Sequence, residues 1–114
     1  MEILDHMEDH MGILSLRGNI VAQTVGEMKQ YLESYVENIE LKGVVLDCEE
    51  VEYIDSAGLG LLASIFKTML KLEKKLALAR VNSRMMETFT LTNLNNILIV
   101  TDDIPSAIKA IRQA

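Results

Sequence analysis

The feature that most constrains the fold is an uninterrupted apolar stretch near the middle of the chain. Residues 43–47 read Gly-Val-Val-Leu-Asp, so that four uncharged residues are followed by an acid. A strand with one face in water alternates apolar and polar residues, whereas a strand covered on both faces reads as a continuous apolar run. We therefore predict a strand at 43–47 in a sheet whose two faces are both buried.

Apolar periodicity on either side of this strand predicts the other elements. In chain order they are a hairpin of strands at 3–7 and 13–16 around a polar turn at 8–10, a helix at 25–38, the strand at 43–47, a helix at 56–72, a strand at 76–81, a short helix capped by residue 83, a strand at 97–100 and a final helix. The order ββαβαβαβα predicts an α/β fold with a mixed β-sheet and helical crossovers. At 114 residues the chain is expected to form one domain, residues 1–114.

Residues with hydroxyl, amide or carboxylate side chains are predicted to mark the helix ends. The predicted N-terminal markers are a capping box of Thr24 and Glu27 for the first helix, Ser56 for the second, Ser83 for the third, and Asp103 with Pro105 for the fourth. After the third helix, Asn93 fits a left-handed cap, because asparagine tolerates that backbone conformation.

The charge of the chain excludes several classes of partner. A net charge of −6 argues against a nucleic-acid partner and against an anionic membrane surface. The longest weakly charged stretch, residues 54–66, is shorter than the roughly 20 apolar residues that span a bilayer, and the acidic start of the chain does not fit a signal peptide. The single cysteine, Cys48, cannot form an internal disulfide. We therefore expect a cytoplasmic protein with no membrane partner.

A glycine pattern that could indicate a nucleotide-binding site lies at residues 53–65, which read Tyr-Ile-Asp-Ser-Ala-Gly-Leu-Gly-Leu-Leu-Ala-Ser-Ile. Gly58, Gly60 and Ala63 match the dinucleotide fingerprint G-x-G-x-x-G/A. That fingerprint requires its first glycine in a tight turn directly after a strand. The predicted strand ends at Asp47, well before Gly58. No nucleotide cofactor is therefore expected, although Arg80, about twenty residues further on, could suit a phosphorylated one.

Three further patterns suggest catalysis or metal binding and lack the residues that these functions need. Ser56 half-matches the hydrolase motif G-x-S-x-G, but Ile54 replaces the first glycine and no histidine follows the serine. His6 and His10 have zinc-like spacing that applies on a helix, and they lie in the predicted hairpin. Asp47 resembles the acceptor of receiver domains but lacks their acidic pair and lysine. We expect no catalytic residue, no metal and no cofactor.

One stripe of the second helix carries only small or polar side chains. Its members follow at helical spacing and are Ser56, Gly60, Ser64, Lys67, Thr68 and Lys71. One interpretation is an ordinary N-cap followed by a solvated helix face. The other is that a bare surface around an exposed serine allows a protein kinase to dock.

Four segments of the chain resemble the bacterial anti-sigma factor antagonists, which are stand-alone STAS domains. They are residues 16–20 (Leu-Arg-Gly-Asn-Ile), 44–47 (Val-Val-Leu-Asp), 53–62 (Tyr-Ile-Asp-Ser-Ala-Gly-Leu-Gly-Leu-Leu) and 91–94 (Leu-Thr-Asn-Leu). The segments follow in the family's order over almost the whole chain, and the D-S-x-G-L-G element is quite specific. The resemblance implies a STAS domain over residues 1–114.

This resemblance also implies a function and a site. Ser56 would be phosphorylated by a partner serine kinase that is itself the anti-sigma factor, and a metal-dependent serine phosphatase would reverse the modification. The unphosphorylated protein would bind the kinase and free its sigma factor, so that it acts as a binding protein and not as an enzyme. The implied partner-binding residues are Asp55, Ser56, Ala57, Gly58, Gly60 and Ser64.

Two positions depart from the family pattern. Val21 stands where the family usually has an acid close to the phosphorylated serine, which bears on the efficiency of phosphorylation or dephosphorylation. Asn93 replaces the usual glycine of the later turn, which a left-handed backbone tolerates. A different class of function stays open beside the phosphorylation switch, namely a STAS module that binds a small ligand or nucleotide and relays it to another system.

Overall fold

A computed structural model describes residues 1–113 and shows one mixed sheet packed between helices. Within that range the elements are β1 (Glu2–Glu8), β2 (Met11–Arg17), α1 (Val25–Tyr35), β3 (Gly43–Glu50), α2 (Ser56–Lys71), β4 (Lys75–Ala79), α3 (Ser83–Leu91), a 3₁₀ turn (Leu94–Asn96), β5 (Ile99–Thr101) and α4 (Ile104–Gln113). The predicted order ββαβαβαβα is confirmed. Over these residues, none of the helices combines the length and the apolar character needed to cross a membrane.

The five strands lie in the sheet in the same order as in the chain. β1 is antiparallel to β2, while β2, β3, β4 and β5 are parallel neighbours. Asp9 and His10 form the turn between β1 and β2, and both have positive φ values, 53° and 64°. Two-residue hairpin turns of this kind match the twist of the strands they join. The predicted hairpin is therefore confirmed.

Helices cover both faces of the sheet, as the apolar run at 43–47 indicates. On one face, Val44 and Leu46 of β3 pack in a core with residues of α1, α2 and α3. On the other face, Val45 packs in a smaller core with Ala107, Ile108 and Ile111 of α4. The side chains of a strand alternate between the two faces, so that β3 needs apolar residues at consecutive positions.

Several element boundaries differ from those that the sequence predicts. β3 continues past Asp47 to Glu50, because it stays paired with β2 up to Arg17. α1 ends at Tyr35 and not at residue 38, and the Lys74 side chain donates hydrogen bonds to the carbonyls of Val36 and Asn38 just beyond it. A lysine that lies far away in the sequence therefore satisfies backbone carbonyls just beyond the end of α1.

The capping predictions have mixed outcomes. The capping box at Thr24 is wrong, since the Thr24 hydroxyl donates to the carbonyl of Asn19 at 2.6 Å and makes no cap hydrogen bond to α1. Ser83 is the first residue of α3, while Asn82 is its cap and accepts a hydrogen bond from the Met85 amide at 2.8 Å. The left-handed conformation of Asn93 is confirmed, with φ of 62°.

The final helix begins as the sequence predicts. The Asp103 carboxylate accepts a hydrogen bond from the amide of Ser106 at 2.8 Å, and α4 starts at Ile104 with Pro105 in its first turn. An acceptor in this position satisfies one of the backbone amides that a helix start leaves unpaired.

Asp47 is the buried charged residue of the structure within residues 1–113, and Arg80 neutralises it. The guanidinium of Arg80, at the end of β4, donates to both carboxylate oxygens of Asp47, with N–O distances of 2.9 and 2.6 Å. Burial acts to raise the pKa of Asp47, but hydrogen bonds from Arg80, from the Glu49 amide and from Ser15 outweigh it and lower the pKa. Asp47, which resembles a receiver-domain acceptor, and Arg80, which could suit a phosphorylated cofactor, therefore form an ion pair with each other.

We predict that Arg80→Met lowers the stability of the fold in a pH-dependent way. Because the folded pKa of Asp47 lies below its unfolded value, the pair stabilises the protein above a pH of about 4, and this contribution disappears as the pH falls through the folded pKa. Urea unfolding at pH 7 should show a clearly lower midpoint for the variant than for the native protein, and the difference should shrink as the pH falls below about 4.

Arg84→Met is the matched control, because Arg84 is exposed and lies over an aromatic ring and not beside a carboxylate. It should unfold like the native protein at pH 7 and at pH 3. An equal loss of stability for Arg80→Met at pH 7 and pH 3 would contradict the ionic explanation.

Candidate functional site

The exposed serine of the 53–65 segment lies at the first turn of α2, but it is not the cap. Asp55 is the N-cap, and its carboxylate accepts a hydrogen bond from the Gly58 amide at 2.9 Å. Ser56 is the first helical residue, and it is exposed. Aspartate and serine cap helices about equally well, and the extended backbone of Asp55 decides between them. The hydroxyl of Ser56 is therefore not engaged in capping.

Asp55 also connects α2 to the segment between β2 and α1. Its second carboxylate oxygen accepts a hydrogen bond from the Ala22 amide at 3.0 Å. The hydrogen bond from Gly58, followed by that from Ala22, lowers the pKa of Asp55. Asp55 therefore stays ionised at neutral pH, with its carboxylate directed at backbone amides.

Gly58 lies where two segments of backbone come into close contact. A Cβ at this position would be 2.1 Å from the carbonyl oxygen of Ile20. That carbonyl also accepts a hydrogen bond from the Asp55 amide at 3.2 Å. Gly58 is buried, and it is therefore required for packing and does not contribute to an exposed surface.

The other α2 residues predicted for partner binding are accessible. Ser56, Gly60 and Ser64 are exposed, and Ala57 is half-buried. A Cβ at Gly60 would meet no atom within 4 Å. Five of the six residues proposed for partner binding therefore reach the surface at least partly, and four of them, Ser56, Ala57, Gly60 and Ser64, lie on α2 itself.

Both histidines lie far from Ser56. His10 is in the β1–β2 turn, next to the strand residue Met11 that pairs with Gly43 at the start of β3, whereas Ser56 follows the end of β3. His6 is in β1 and pairs with Ile13. An eight-residue strand such as β3 separates its two ends by roughly 23 Å. Neither histidine can activate the serine hydroxyl.

The part of the chain that the structure describes contains no group of three or more histidine, cysteine, aspartate or glutamate side chains that could hold a metal ion. The thiol of Cys48 is buried, and burial raises its pKa to about 12. A thiol with such a pKa stays protonated at neutral pH and is a poor nucleophile and a poor metal ligand.

Comparison with known proteins identifies the family. A family model described as the STAS domain matches residues 3–107. This chain belongs to the STAS domain family.

Relatives and solved structures agree with this assignment. A protein of Listeria monocytogenes named anti-sigma-B factor antagonist is 34% identical to this STAS domain over 100 residues, which cover 86% of this chain and 84% of that protein. An anti-sigma factor antagonist from Mycobacterium paratuberculosis has a fold with a TM-score of 0.87 at 22% identity, over 97% of this chain and 93% of that one. The phosphorylated form of the Bacillus cell fate determinant SpoIIAA has a TM-score of 0.73 at 14% identity, over 96% and 99% of the two chains.

The STAS domain carries a groove that the sequence did not predict. It lies between α1 and α2, has a volume of about 220 Å³, and begins one residue after Ser56. It is lined by Val25, Gly26, Lys29, Ala57, Gly60, Leu61 and Ser64. The α1 residues gave no signal of their own in the sequence, because only the packing of α1 against α2 makes them neighbours of the small-residue stripe.

The surroundings of Ser56 also include an aromatic and cationic pair. The guanidinium carbon of Arg84, in the first turn of α3, lies 4.9 Å from the centre of the Tyr53 ring. Arginine over an aromatic face is held by the attraction between the cation and the ring electrons. Tyr53 stands three residues before the serine, so that this pair places an aromatic ring and a positive charge near the start of α2.

We predict opposite effects for alanine at the two glycines of α2. Gly58→Ala should lower the free energy of unfolding by about 3 kcal/mol, because its Cβ overlaps the backbone carbonyl of Ile20. Gly60→Ala should raise it by roughly 0.5–1 kcal/mol, because alanine favours the helix and the position is open.

Urea denaturation of both variants beside the native STAS domain checks this prediction, and each glycine is the control for the other. Equal stability of the two variants would show that the close approach at Ile20 does not fix the start of α2.

Proposed function

We propose that this STAS domain is an anti-sigma factor antagonist that phosphorylation of Ser56 switches off. In its unphosphorylated form it binds a serine kinase that is the anti-sigma factor, and the sigma factor is then released. The observation that carries the proposal is the exposed Ser56 hydroxyl at the first turn of α2, next to the groove between α1 and α2. Such a switch acts on transcription and belongs in the cytoplasm.

Ser56 is a substrate in this proposal and not a catalyst. The carboxylate nearest in sequence, Asp55, is occupied by hydrogen bonds from Gly58 and Ala22 and is too acidic to serve as a base. A base of the kinase therefore takes the hydroxyl proton. The serine oxygen forms a bond to the γ-phosphorus of ATP, and the bond between that phosphorus and ADP breaks.

The surface beside Ser56 suits a flat partner. Gly60 and Ser64 follow the serine at one-turn intervals, and no side chain longer than serine rises from these positions. A partner can therefore approach the α2 backbone closely. The groove adds a recess in which an apolar side chain of the partner would contact Val25 and Leu61.

Phosphorylation would block this surface electrostatically. A phosphoserine carries a charge of about −1.5 to −2 at neutral pH, and burying it against a partner without a counter-charge is costly. The start of α2 favours an anion, while Asp55 and Glu52 oppose it, and the surrounding water screens both effects. The fold should therefore tolerate the phosphate while the interface does not.

Relatives support the proposal. The Listeria monocytogenes relative bears the name anti-sigma-B factor antagonist, and SpoIIAA, a structural neighbour, has been solved in a phosphorylated form. Reversal requires a serine phosphatase, which we propose to be metal-dependent. Val21 stands where the family usually has an acid. It is adjacent to Ala22, whose amide donates a hydrogen bond to Asp55, so that the valine leaves one negative charge fewer near Ser56.

We predict that the partner serine kinase, to be sought among the genes that neighbour this one, adds about 80 Da, one phosphoryl group, to the protein at Ser56. Mass spectrometry after incubation with ATP checks the site. Ser56→Ala should accept no phosphate and should bind the kinase equally with and without ATP, because the hydroxyl is the acceptor and not the helix cap.

Ser83→Ala is the matched control. Ser83 is also exposed and is also the first residue of a helix after an N-cap. This variant should be phosphorylated and released like the native protein. Phosphate on Ser56→Ala, or release of that variant by ATP, would contradict the assignment.

We also predict that phosphorylation leaves the fold unchanged. The melting temperature of the phosphorylated protein should lie within about 8 °C of the unmodified one, which is the largest shift that a change of ~1 kcal/mol produces in a domain of this size. Backbone amide NMR shifts should change around α2 and not at Ile108, which lies in α4 on the opposite face of the sheet. Larger melting shifts, or changes that reach Ile108, would indicate a conformational switch.

A further inference from the structure

The backbone that leads to Ser56 is held by two asparagine side chains from different parts of the chain. Asn19, in the connection between β2 and α1, accepts hydrogen bonds through its side-chain oxygen from two consecutive amides. These are the amides of Glu52 at 3.1 Å and Tyr53 at 3.0 Å. One side of the segment between β3 and α2 is therefore fixed by an acceptor.

Asn82 holds the same segment by donating hydrogen bonds to it, whereas Asn19 accepts them. Its side-chain nitrogen donates to the carbonyls of Val51 at 3.2 Å and Glu52 at 3.1 Å. Its side-chain oxygen accepts from the Met85 amide at 2.8 Å and thereby caps α3. A single amide group therefore joins the start of α3 to the segment before Ser56.

The two asparagines meet at Glu52. The Glu52 amide donates to Asn19 and the Glu52 carbonyl accepts from Asn82, so that both polar groups of one residue are held by side chains. Beyond it, the Tyr53 carbonyl accepts from the Ile20 amide at 3.1 Å. The segment gains its shape from partners outside itself, since it has no helix or strand of its own between Glu50 and Ser56 apart from a bridge at Ile54.

We propose that Asn82 is a positioning residue for Ser56: its two donated hydrogen bonds hold residues 51–52 in the orientation in which the serine hydroxyl is presented to the kinase. This inference rests on the proposed function. Transfer of a phosphoryl group requires the attacking oxygen in line with the leaving group, and small misplacements of a reacting atom reduce the rate strongly. The capping role of Asn82 is separate, because it uses the side-chain oxygen and not the nitrogen.

Asn82→Ser separates the two roles. Serine is as good an N-cap as asparagine, but its hydroxyl is too short to reach the two carbonyls that Asn82 contacts. The variant therefore keeps the cap of α3 and loses the hold on residues 51–52. Asn82→Ala loses both. Asn96→Ser, in the exposed 3₁₀ turn, is the control for the same chemical change away from the site.

The first measurement is phosphorylation by the partner serine kinase of the proposed function. For Asn82→Ser we expect kcat to fall roughly tenfold while KM stays within about twofold, because the docking surface on α2 is intact and only the hydroxyl is misplaced. Asn82→Ala should have the same kcat as Asn82→Ser although it is less stable. Asn96→Ser should match the native protein. A native kcat for Asn82→Ser would overturn the proposal.

The second measurement is hydrogen exchange of the Glu52 and Tyr53 amides, which needs no partner. These amides donate to Asn19, and Asn82 holds the carbonyl of the same residue, Glu52. Loss of the Asn82 contacts should therefore loosen the segment and make these amides exchange at least about tenfold faster in Asn82→Ser, while the amides of α3 keep their protection. Unchanged exchange would overturn the proposal whatever the kinetics. If the native protein accepts no phosphate at all, the proposed function fails, and the exchange rates alone decide whether Asn82 holds the segment.

Discussion

The close approach between the carbonyl of Ile20 and the first turn of α2 is the contact on which the candidate site depends. Gly58 leaves room for that carbonyl, which lies 2.1 Å from where a Cβ would be. The same carbonyl accepts a hydrogen bond from the Asp55 amide, and Asp55 then receives the amides of Ala22 and Gly58. Any side chain at residue 58 would push α2 outward and disturb these hydrogen bonds together.

This contact is rigid because both sides of it belong to the main core. Ile20 and Ile54 pair as an isolated parallel bridge and are buried with the helices α1, α2 and α3. α2 therefore forms a fixed platform behind Ser56, while Asn82 holds the segment that leads to the serine. The proposed switch would therefore act by changing the charge of a surface, which a partner detects directly.

The sequence predicted the elements better than the contacts that end them. Apolar periodicity located every helix and strand, because burial of one face repeats along each element. The caps were harder: Thr24, Ser56 and Ser83 are all chemically suitable, but Thr24 bonds Asn19, and the neighbours Asp55 and Asn82 cap α2 and α3. Adjacent polar residues often have about the same intrinsic preference for the N-cap position. Contacts with distant parts of the chain then decide which of them caps the helix.

The sequence by itself determined that this is an α/β chain with a sheet buried on both faces, that it belongs with STAS domains, and that Ser56 starts an exposed small-residue stripe. The fold class and the stripe follow from local patterns of burial and spacing, whereas the family follows from the resemblance of four sequence segments to known STAS domains. Only the tertiary structure decided that Gly58 is a packing residue while Gly60 is open, and that α1 supplies the second wall of the groove. Such properties depend on which distant backbone lies opposite a residue, and no local pattern records that neighbour.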